Sequence, residues 1–280
     1  MTSVLLHDFI IKEHVQNALK EDIGFGDITT DYLIPEDKRI TAKLNSREDA
    51  ILCGIDIVEM VFKTLSNDVK VQKFFSDGDK VKKGDTLAII EGPARVVLIG
   101  ERTALNYVQR LSGIATETNK YQEAIGDNKA RITDTRKTTP GFRMFEKYAV
   151  FTGGARLHRF NLSDCVMIKD NHIQFAGSIT NAVNEIRKHL SHTHKIEVEC
   201  DTIEQVKEAI EAKADIIMLD NMPCDLMKEC VQLINGKALV EASGNVTIAT
   251  INEIAKTGVD VISSSAIVAK AKTIDIALDM

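Results

Sequence analysis

The hydrophobic pattern changes near residue 130. In DFIIKEHVQNALK (8–20), Ile11, Val15 and Leu19 recur at helical spacing. Strand-like alternation follows from Arg39 to Glu91: RITAKLNS alternates, AILCGI is a short apolar run, and Val69 to Phe75 alternates again. GDKVKKGDTLAIIEG sets a Gly-Asp turn before each of two further strands. Residues 56–66 read as a helix between them, and residues 100–125 as one long or two abutting helices. Leu105, Val108, Leu111 and Ile114 supply the apolar face of the latter, with Gly113 allowing close packing or a bend. The first hundred residues therefore predict an α+β domain with a mostly antiparallel sheet. The Gly24-x-Gly26 pair has no strand before it and reads as a turn, with Asp27, Thr29 and Thr30 bonding their own backbone.

After Ala130 strands and helices alternate. KIEVEC is a strand, and DTIEQVKEAIEAKA a helix capped by Asp201 or Thr202. ADIIMLD is a strand, followed by a helix with Pro223 in its first turn. KALVEA, the helix TIATINEIAKTG and the strand VDVISSSA complete the series. Glu199, Asp220 and Glu241 close three successive strands at intervals of 21 residues, a βα repeat. Such units build a parallel sheet, and in a β/α barrel the C-terminal strand ends form the active face. Glu199, Asp220, Glu241 and Ser243-Gly244 are then expected around one mouth. The fold class is α/β: an incomplete TIM-like β/α barrel behind an N-terminal α+β sandwich domain.

Composition narrows the function classes. The 280 residues are 44% hydrophobic and 27% charged, ordinary for a soluble globular chain, and no apolar run reaches membrane-span length. The N-terminus lacks the basic segment of a signal peptide. Five scattered cysteines without a CxxC pair indicate reduced thiols and a cytoplasmic setting. No Trp and a net charge of -6 argue against nucleic acid as a partner.

Against that acidic background, Arg131–His172 carries eight lysines and arginines and only four carboxylates. Apolar positions such as Ile132, Phe145, Val150 and Leu162 interrupt the charges, the pattern of cations turned into a cleft that receives a polyanion. A cationic side facing a ring of carboxylates suits a substrate with several negative groups and a sugar. Arginines hold phosphates and carboxylates; carboxylates hold ribose hydroxyls, Mg²⁺ or developing oxocarbenium charge. Ser243, Gly244 and the following helix start are expected to cradle a terminal phosphate. Ser-His-Asp, HExxH and Walker patterns are absent from the sequence.

The segments EDIGFGDITT, ERTALNYVQRLSGIAT, TDTRKTTPGFRMFEKYAVFTGGARLHRFNLSDCVMIKDNH, IEVEC, IIMLDNM and EASGN, in that order, resemble quinolinate phosphoribosyltransferases. These enzymes are also called nicotinate-nucleotide pyrophosphorylases (carboxylating). The resemblance implies reaction of quinolinate with phosphoribosyl pyrophosphate and Mg²⁺, without an organic cofactor, giving nicotinate mononucleotide, pyrophosphate and CO₂ for NAD synthesis. It implies Arg136, His158 and Arg159 on the substrate carboxylates, and Lys137 and Lys169 at the pyrophosphate and reacting centre. Glu199 and Asp220 would serve ribose and metal, and Ser243, Gly244 and Asn245 a phosphate turn. It further implies a homodimer, or a higher oligomer, in which Arg102 reaches the neighbouring site. The expected boundaries are 1–110 for the N-terminal domain and 111–269 for the barrel, with 270–280 available to pack on the former.

The chain also departs from the family. Ala155 and Leu157 in GGARLHR replace a glycine and an asparagine, and Asn245 replaces a glycine in a conformation asparagine tolerates. In SSSAIVAK, Ser265 and Ala269 stand where the family has glycine and histidine. A weaker grip on phosphoribosyl pyrophosphate is expected, improved by Ala269→His, with the hydroxyls of Ser263, Ser264 and Ser265 as replacement donors. Three alternatives compete: a related protein associated with molybdenum transport, nicotinate phosphoribosyltransferase, and a binding protein that has lost turnover. The HR and IKDNH elements disfavour the first, and Arg102, Arg136, His158 and Arg159 point to two substrate carboxylates.

Overall fold

The computed structural model describes residues 6–280; the first five residues of the N-terminal segment read above lie outside them. The chain forms two compact units, Met1–Asn119 with Thr139–Gly154 and Ala271–Met280, and Lys120–Thr138 with Ala155–Lys270. Residues 139–154, expected with the barrel, thus group with the N-terminal unit, which also extends past residue 110.

In chain order, the first unit begins with α1 (Asp8–Ile23), α2 (Ile28–Leu33), β1 (Arg39–Ser46), β2 (Ala50–Ile51) and α3 (Ile55–Leu65). It continues with β3 (Lys70–Lys73), β4 (Lys80–Val81), β5 (Thr86–Pro93) and α4 (Ala94–Ile125). Helix α1 buries Ile11, Val15 and Leu19, its three apolar positions at helical spacing. Asp27 caps α2, accepting the Thr30 N–H at 3.0 Å. The alternation in β1 buries Ala42, Leu44 and Ser46 on one face. The apolar run AILCGI is not a full strand: only Ala50 and Ile51 pair, with β4, before the chain turns into α3. Asp77 holds that turn, accepting the N–H groups of Gly54 (2.8 Å) and Ile55 (3.0 Å) and the Tyr148 hydroxyl (2.6 Å). Burial keeps the Asp77 carboxyl above its usual range despite those three donors. The segment expected as one or two helices at 100–125 is a single 32-residue helix starting directly after β5.

The remaining elements are β6 (Arg131–Thr133), α5 (Arg143–Thr152), β7 (Val166–Ile168), α6 (Asp170–Ala176), α7 (Ile179–Arg187), β8 (Ile196–Cys200) and α8 (Ile203–Glu211). They end with β9 (Ile216–Asp220), α9 (Cys224–Ile234), β10 (Leu239–Ser243), α10 (Ile251–Ala255), β11 (Val261–Ser263), α11 (Ala266–Ala269) and β12 (Ile276–Asp279). Helix α5 and strand β12 belong to the first unit, where β12 joins the antiparallel sheet β12-β1-β5-β3. In the second unit a six-stranded parallel sheet runs β6-β11-β10-β9-β8-β7. That order is sequential and cyclic, with β6 returning to pair with β11: a barrel left open between β6 and β7. Beside β6, Thr133 makes a parallel bridge to Arg156.

Thr202, rather than Asp201, caps α8, and Pro223 sits at the N-cap of α9 instead of inside its first turn. The helix expected from TIATINEIAKTG shrinks to Ile251–Ala255. The hydroxyls of Thr247 and Thr250 bond each other and nearby backbone there, competing with helical pairing.

Candidate active site

The second unit collects most of the expected site around two adjoining cavities. The first, about 430 Å³, is lined by Arg136, Lys137, His158, Arg159, Lys169, Glu199, Asp220, Ser243 and Ser263, with Met167 and Met218 as its apolar wall. The second, about 360 Å³, shares Lys137, Asp220, Ser243 and Ser263 and adds Gly244, Asn245, Ser264, Ser265 and Lys270. The strands explain the convergence. Glu199 and Asp220 stand at the C-terminal ends of the paired strands β8 and β9, Ser243 ends β10 and Ser263 ends β11.

The cations are held differently. Lys169, just after β7, is ion-paired to Glu199 Oε2. The Arg159 guanidinium donates to the Cys165 carbonyl at 2.9 Å and touches the Met167 sulfur. The His158 N–H donates to Asp134 Oδ1 at 2.8 Å, and Asp134 is fully buried. This bond ties the 155–159 segment to the end of β6.

Glu241 is not at the mouth. It lies inside β10, two residues before the strand end, buried with Glu197, and each of these carboxylates comes within 3.5 Å of His158 Nε2. Glu197 escapes the sequence reading, although alternation in IEVEC puts it on the same face of β8 as Glu199. Depth along the strand separates the two: Glu199 reaches the cavity and Glu197 stays beneath it. Burial disfavours a charged imidazole, but the facing Glu197 and Glu241 outweigh it and push His158 up to about 10. The Arg159 N–H on His158 Nδ1, at 2.7 Å, opposes a second ring proton. Two carboxylate charges in a site shielded from water outweigh one amide dipole. Burial in turn raises Glu197, with the like charge of Glu241 adding to it and His158 working against it.

Each of Glu199 and Asp220 has one oxygen engaged, by Lys169 and by Asn221 Nδ2 (2.6 Å) respectively. Their other oxygens make no hydrogen bond among the described residues. Mg²⁺ is commonly held by one or two carboxylates together with phosphate oxygens and water, and this donor set fits it. The tighter grouping of possible ligand atoms is His158, Glu197 and Glu241, all within 4.8 Å of one another. There the imidazole already answers the carboxylate charge.

The Ser243–Asn245 turn, expected to hold a phosphate, has a left-handed backbone but not the expected helix. Gly244 and Asn245 adopt φ of 88° and 51°, and Asn245 Nδ2 donates to Asn221 Oδ1 at 3.0 Å. Helix α10 begins only at Ile251, so no helix start follows the turn directly. Ser264 is buried, with its Oγ accepting the Ala266 N–H at 3.2 Å, while Ser265 reaches the cavity at its rim. Ala269 is exposed and does not line either cavity; its neighbour Lys270, which the sequence reading passed over, does. Arg102 belongs to the first unit, on α4, and lines a cavity of about 370 Å³ there with Asp22, Asp27 and Ile28. It makes no ion pair among the described residues.

Comparison with known proteins decides the family. The model of the quinolinate phosphoribosyl transferase N-terminal domain matches residues 27–112, and that of the C-terminal domain residues 114–279. The chain belongs to the quinolinate phosphoribosyltransferase family. A probable nicotinate-nucleotide pyrophosphorylase [carboxylating] of Synechocystis is 44% identical over 97% of this chain and 92% of its own. Among solved structures, NadC from Streptococcus pyogenes superposes with a TM-score of 0.96 at 38% identity, covering 98% of this chain and 97% of that one. The nicotinate-nucleotide pyrophosphorylase from Francisella tularensis gives 0.94 at 42% identity, with 98% and 97% covered. The chain is therefore an enzyme, a phosphoribosyltransferase with the α/β architecture of this family. The molybdenum-associated and monocarboxylate alternatives are not favoured. Among the described residues no helix is long and apolar enough to cross a membrane.

Proposed function

We propose that this chain transfers phosphoribose from phosphoribosyl pyrophosphate to the ring nitrogen of quinolinate and decarboxylates the product to nicotinate mononucleotide, in the cytoplasm, for NAD synthesis. The observation that carries the reading is one cavity lined by Arg136, His158 and Arg159 together with Lys169, Glu199 and Asp220. Cations for a dicarboxylate sit in it beside carboxylates for a sugar.

In this reading Arg136, His158 and Arg159 fix the two substrate carboxylates, so that the pyridine nitrogen faces the anomeric carbon. The nitrogen lone pair forms the new C–N bond as the C–O bond to pyrophosphate breaks. Glu199 and Asp220 stabilise the transient ribosyl cation, and Lys137 and Lys169 meet the charge of the leaving group. Mg²⁺, bound through Glu199 and Asp220, would neutralise pyrophosphate charge. Once the ring nitrogen is cationic, the bond from C2 to its carboxylate breaks. CO₂ leaves, the electron pair stays on C2 beside the positive nitrogen, and a proton replaces the lost group. No organic cofactor is needed.

We also assign a homodimer in which Arg102 serves the neighbouring site. The unpaired guanidinium supports this, as does Ile28, which lines the same cavity and is exposed, as are Tyr32 and Leu33 further along α2. Mixing inactive Arg102→Ala and Lys169→Ala protomers is expected to restore activity; failure of the mixture excludes a shared site.

The deciding assay supplies quinolinate or nicotinate with phosphoribosyl pyrophosphate and Mg²⁺. Nicotinate mononucleotide and CO₂ from quinolinate alone is the expected outcome. Turnover of nicotinate without CO₂ would overturn the substrate assignment.

A further inference from the structure

The cavity over the Ser243–Asn245 turn holds two lysines with no counter-charge of their own. Neither the Lys137 nor the Lys270 ammonium makes an ion pair or hydrogen bond among the described residues; Lys137 is engaged only through its backbone N–H, to Thr135. Lys169 in the adjoining cavity differs, being already paired with Glu199. The single carboxylate lining this second cavity is Asp220, one of whose oxygens is occupied by Asn221. The remaining polar lining consists of neutral donors. The hydroxyls of Ser243, Ser263 and Ser265 have no hydrogen-bond partner among the described residues, and Ser263 is only 3% exposed.

An arrangement of two ammonium groups, several uncommitted hydroxyls and one partly engaged carboxylate has a surplus of donors and positive charge. It suits an oxyanion with more than one charge and several acceptor oxygens. A phosphate monoester is the matching group. Gly244 holds the turn at φ of 88°, where the absence of a side chain lets Asn221 pack directly against it.

We propose that Lys270 is a phosphate-binding residue: with the uncommitted hydroxyls of Ser243, Ser263 and Ser265 it holds the monoester phosphate of the phosphosugar, while Lys137, which lines both cavities, and Lys169 meet the pyrophosphate. This rests on the phosphoribosyl reading of the cavity. Lys270 follows the short helix α11 at the end of the second unit, and its exposed stem lets the ammonium follow the bound phosphate.

The test is calorimetric binding of ribose 5-phosphate and, separately, of inorganic pyrophosphate, to the full-length wild type, Lys270→Met and Lys270→Arg. Loss of one charge-assisted contact is expected to weaken ribose 5-phosphate binding about tenfold in Lys270→Met. Lys270→Arg should keep most of the affinity, and pyrophosphate affinity should not change in either variant. In turnover, Lys270→Met should raise KM for phosphoribosyl pyrophosphate by a similar factor and leave kcat and KM for quinolinate in place. Lys270 is exposed, so melting temperatures should coincide. Equal binding of ribose 5-phosphate by wild type and Lys270→Met overturns the assignment of Lys270 alone. A wild type that binds neither ribose 5-phosphate nor phosphoribosyl pyrophosphate overturns the phosphoribosyl reading with it.

Discussion

His158 Nε2 faces Glu197 Oε2 at 3.5 Å, in a place where the carboxylate is almost wholly buried. Glu241 approaches the same nitrogen from β10 at the same distance. The imidazole therefore ties two strands together from inside the second unit, and its charge state is a property of the fold as well as of the site. Its folded pKa, about 10, lies above its ordinary value. The stabilisation from the charged imidazole is fully present below about pH 6.5 and is lost as pH rises towards 10. Melting temperature is thus expected to fall between pH 7 and 10, and that fall should flatten in Glu197→Gln. The substitution leaves one half of a buried pair behind, and should itself cost about 3 kcal/mol at pH 7. Thermal melts across that range check both statements; a wild-type curve parallel to that of Glu197→Gln would show that the carboxylate does not set the charge of His158.

What sequence could and could not reveal divides along physical lines. The parallel sheet is legible because three strand–helix units repeat and their apolar strands leave few alternatives. The cluster of Arg136, Lys137, His158, Arg159 and Lys169 is legible because cations separated by buried positions in an acidic chain need a reason. Periodicity fails for AILCGI, since an apolar run buried on all sides carries no phase to distinguish a strand from the entry to a helix. It fails differently for Glu241. Strand spacing finds the right face but not the depth, so a residue two positions short of the strand end becomes a buried partner of His158 instead of a group at the mouth. The grouping of residues 139–154 with the first unit depends on long-range packing. Part of that packing is Glu146, fully buried, which accepts from the Thr139 N–H at 2.9 Å and pairs with Arg110.

The Lys169–Glu199 ion pair lines the cavity proposed for the substrates. Each group holds the other in place, and in the proposed mechanism the ammonium passes to a phosphate oxygen on binding, leaving Glu199 with both oxygens available. Lys169→Met removes the cation and strands the carboxylate. Loss of this electrostatic contribution at the transition state should lower kcat by about 10²-fold or more. Glu199→Gln keeps a hydrogen-bond acceptor and loses the charge. It should reduce kcat comparably and raise the Mg²⁺ concentration needed for half-maximal rate. Steady-state kinetics with varied Mg²⁺ test this; a Glu199→Gln enzyme with unchanged metal dependence would remove Glu199 from the metal site.

At the proposed phosphate turn, Gly244 and Asn245 separate conformation from contact. A Cβ on residue 244 would lie 2.1 Å from Asn221 Oδ1, and φ of 88° is unfavourable for any side chain. Gly244→Ala must therefore push Asn221 aside and break its bond to Asn245. A cost of about 2 kcal/mol or more is expected, together with weakened binding of phosphoribosyl pyrophosphate. Asn245→Gly keeps the left-handed backbone accessible and loses only the side-chain bond to Asn221. It should cost under about 1 kcal/mol. Denaturant unfolding of both variants ranks them, and the reverse order would mean that the Asn221–Asn245 bond, not the backbone, holds the turn.

Gly113 offers a test in which propensity and packing disagree in sign. It sits within the 32-residue helix α4, where replacing glycine by alanine ordinarily stabilises by about 1 kcal/mol. Here an alanine Cβ would fall 1.9 Å from the Lys272 carbonyl oxygen, with the Thr273 Cα at 3.3 Å. Both obstacles are backbone, so no rotamer change relieves the clash. The segment that must move leads into β12, which pairs with β1 in the register Lys43–Asp279 to Ser46–Ile276. Displacing it threatens an edge strand of the first unit's sheet, a loss larger than the helix gain. Gly113→Ala should therefore destabilise the protein by about 2 kcal/mol or more, the range for overpacking against fixed neighbours. Amide hydrogen exchange should show the loss of protection first in β12 and along β1. A neutral or stabilising Gly113→Ala would mean that the C-terminal segment yields easily, and that the sheet does not depend on the close approach glycine permits.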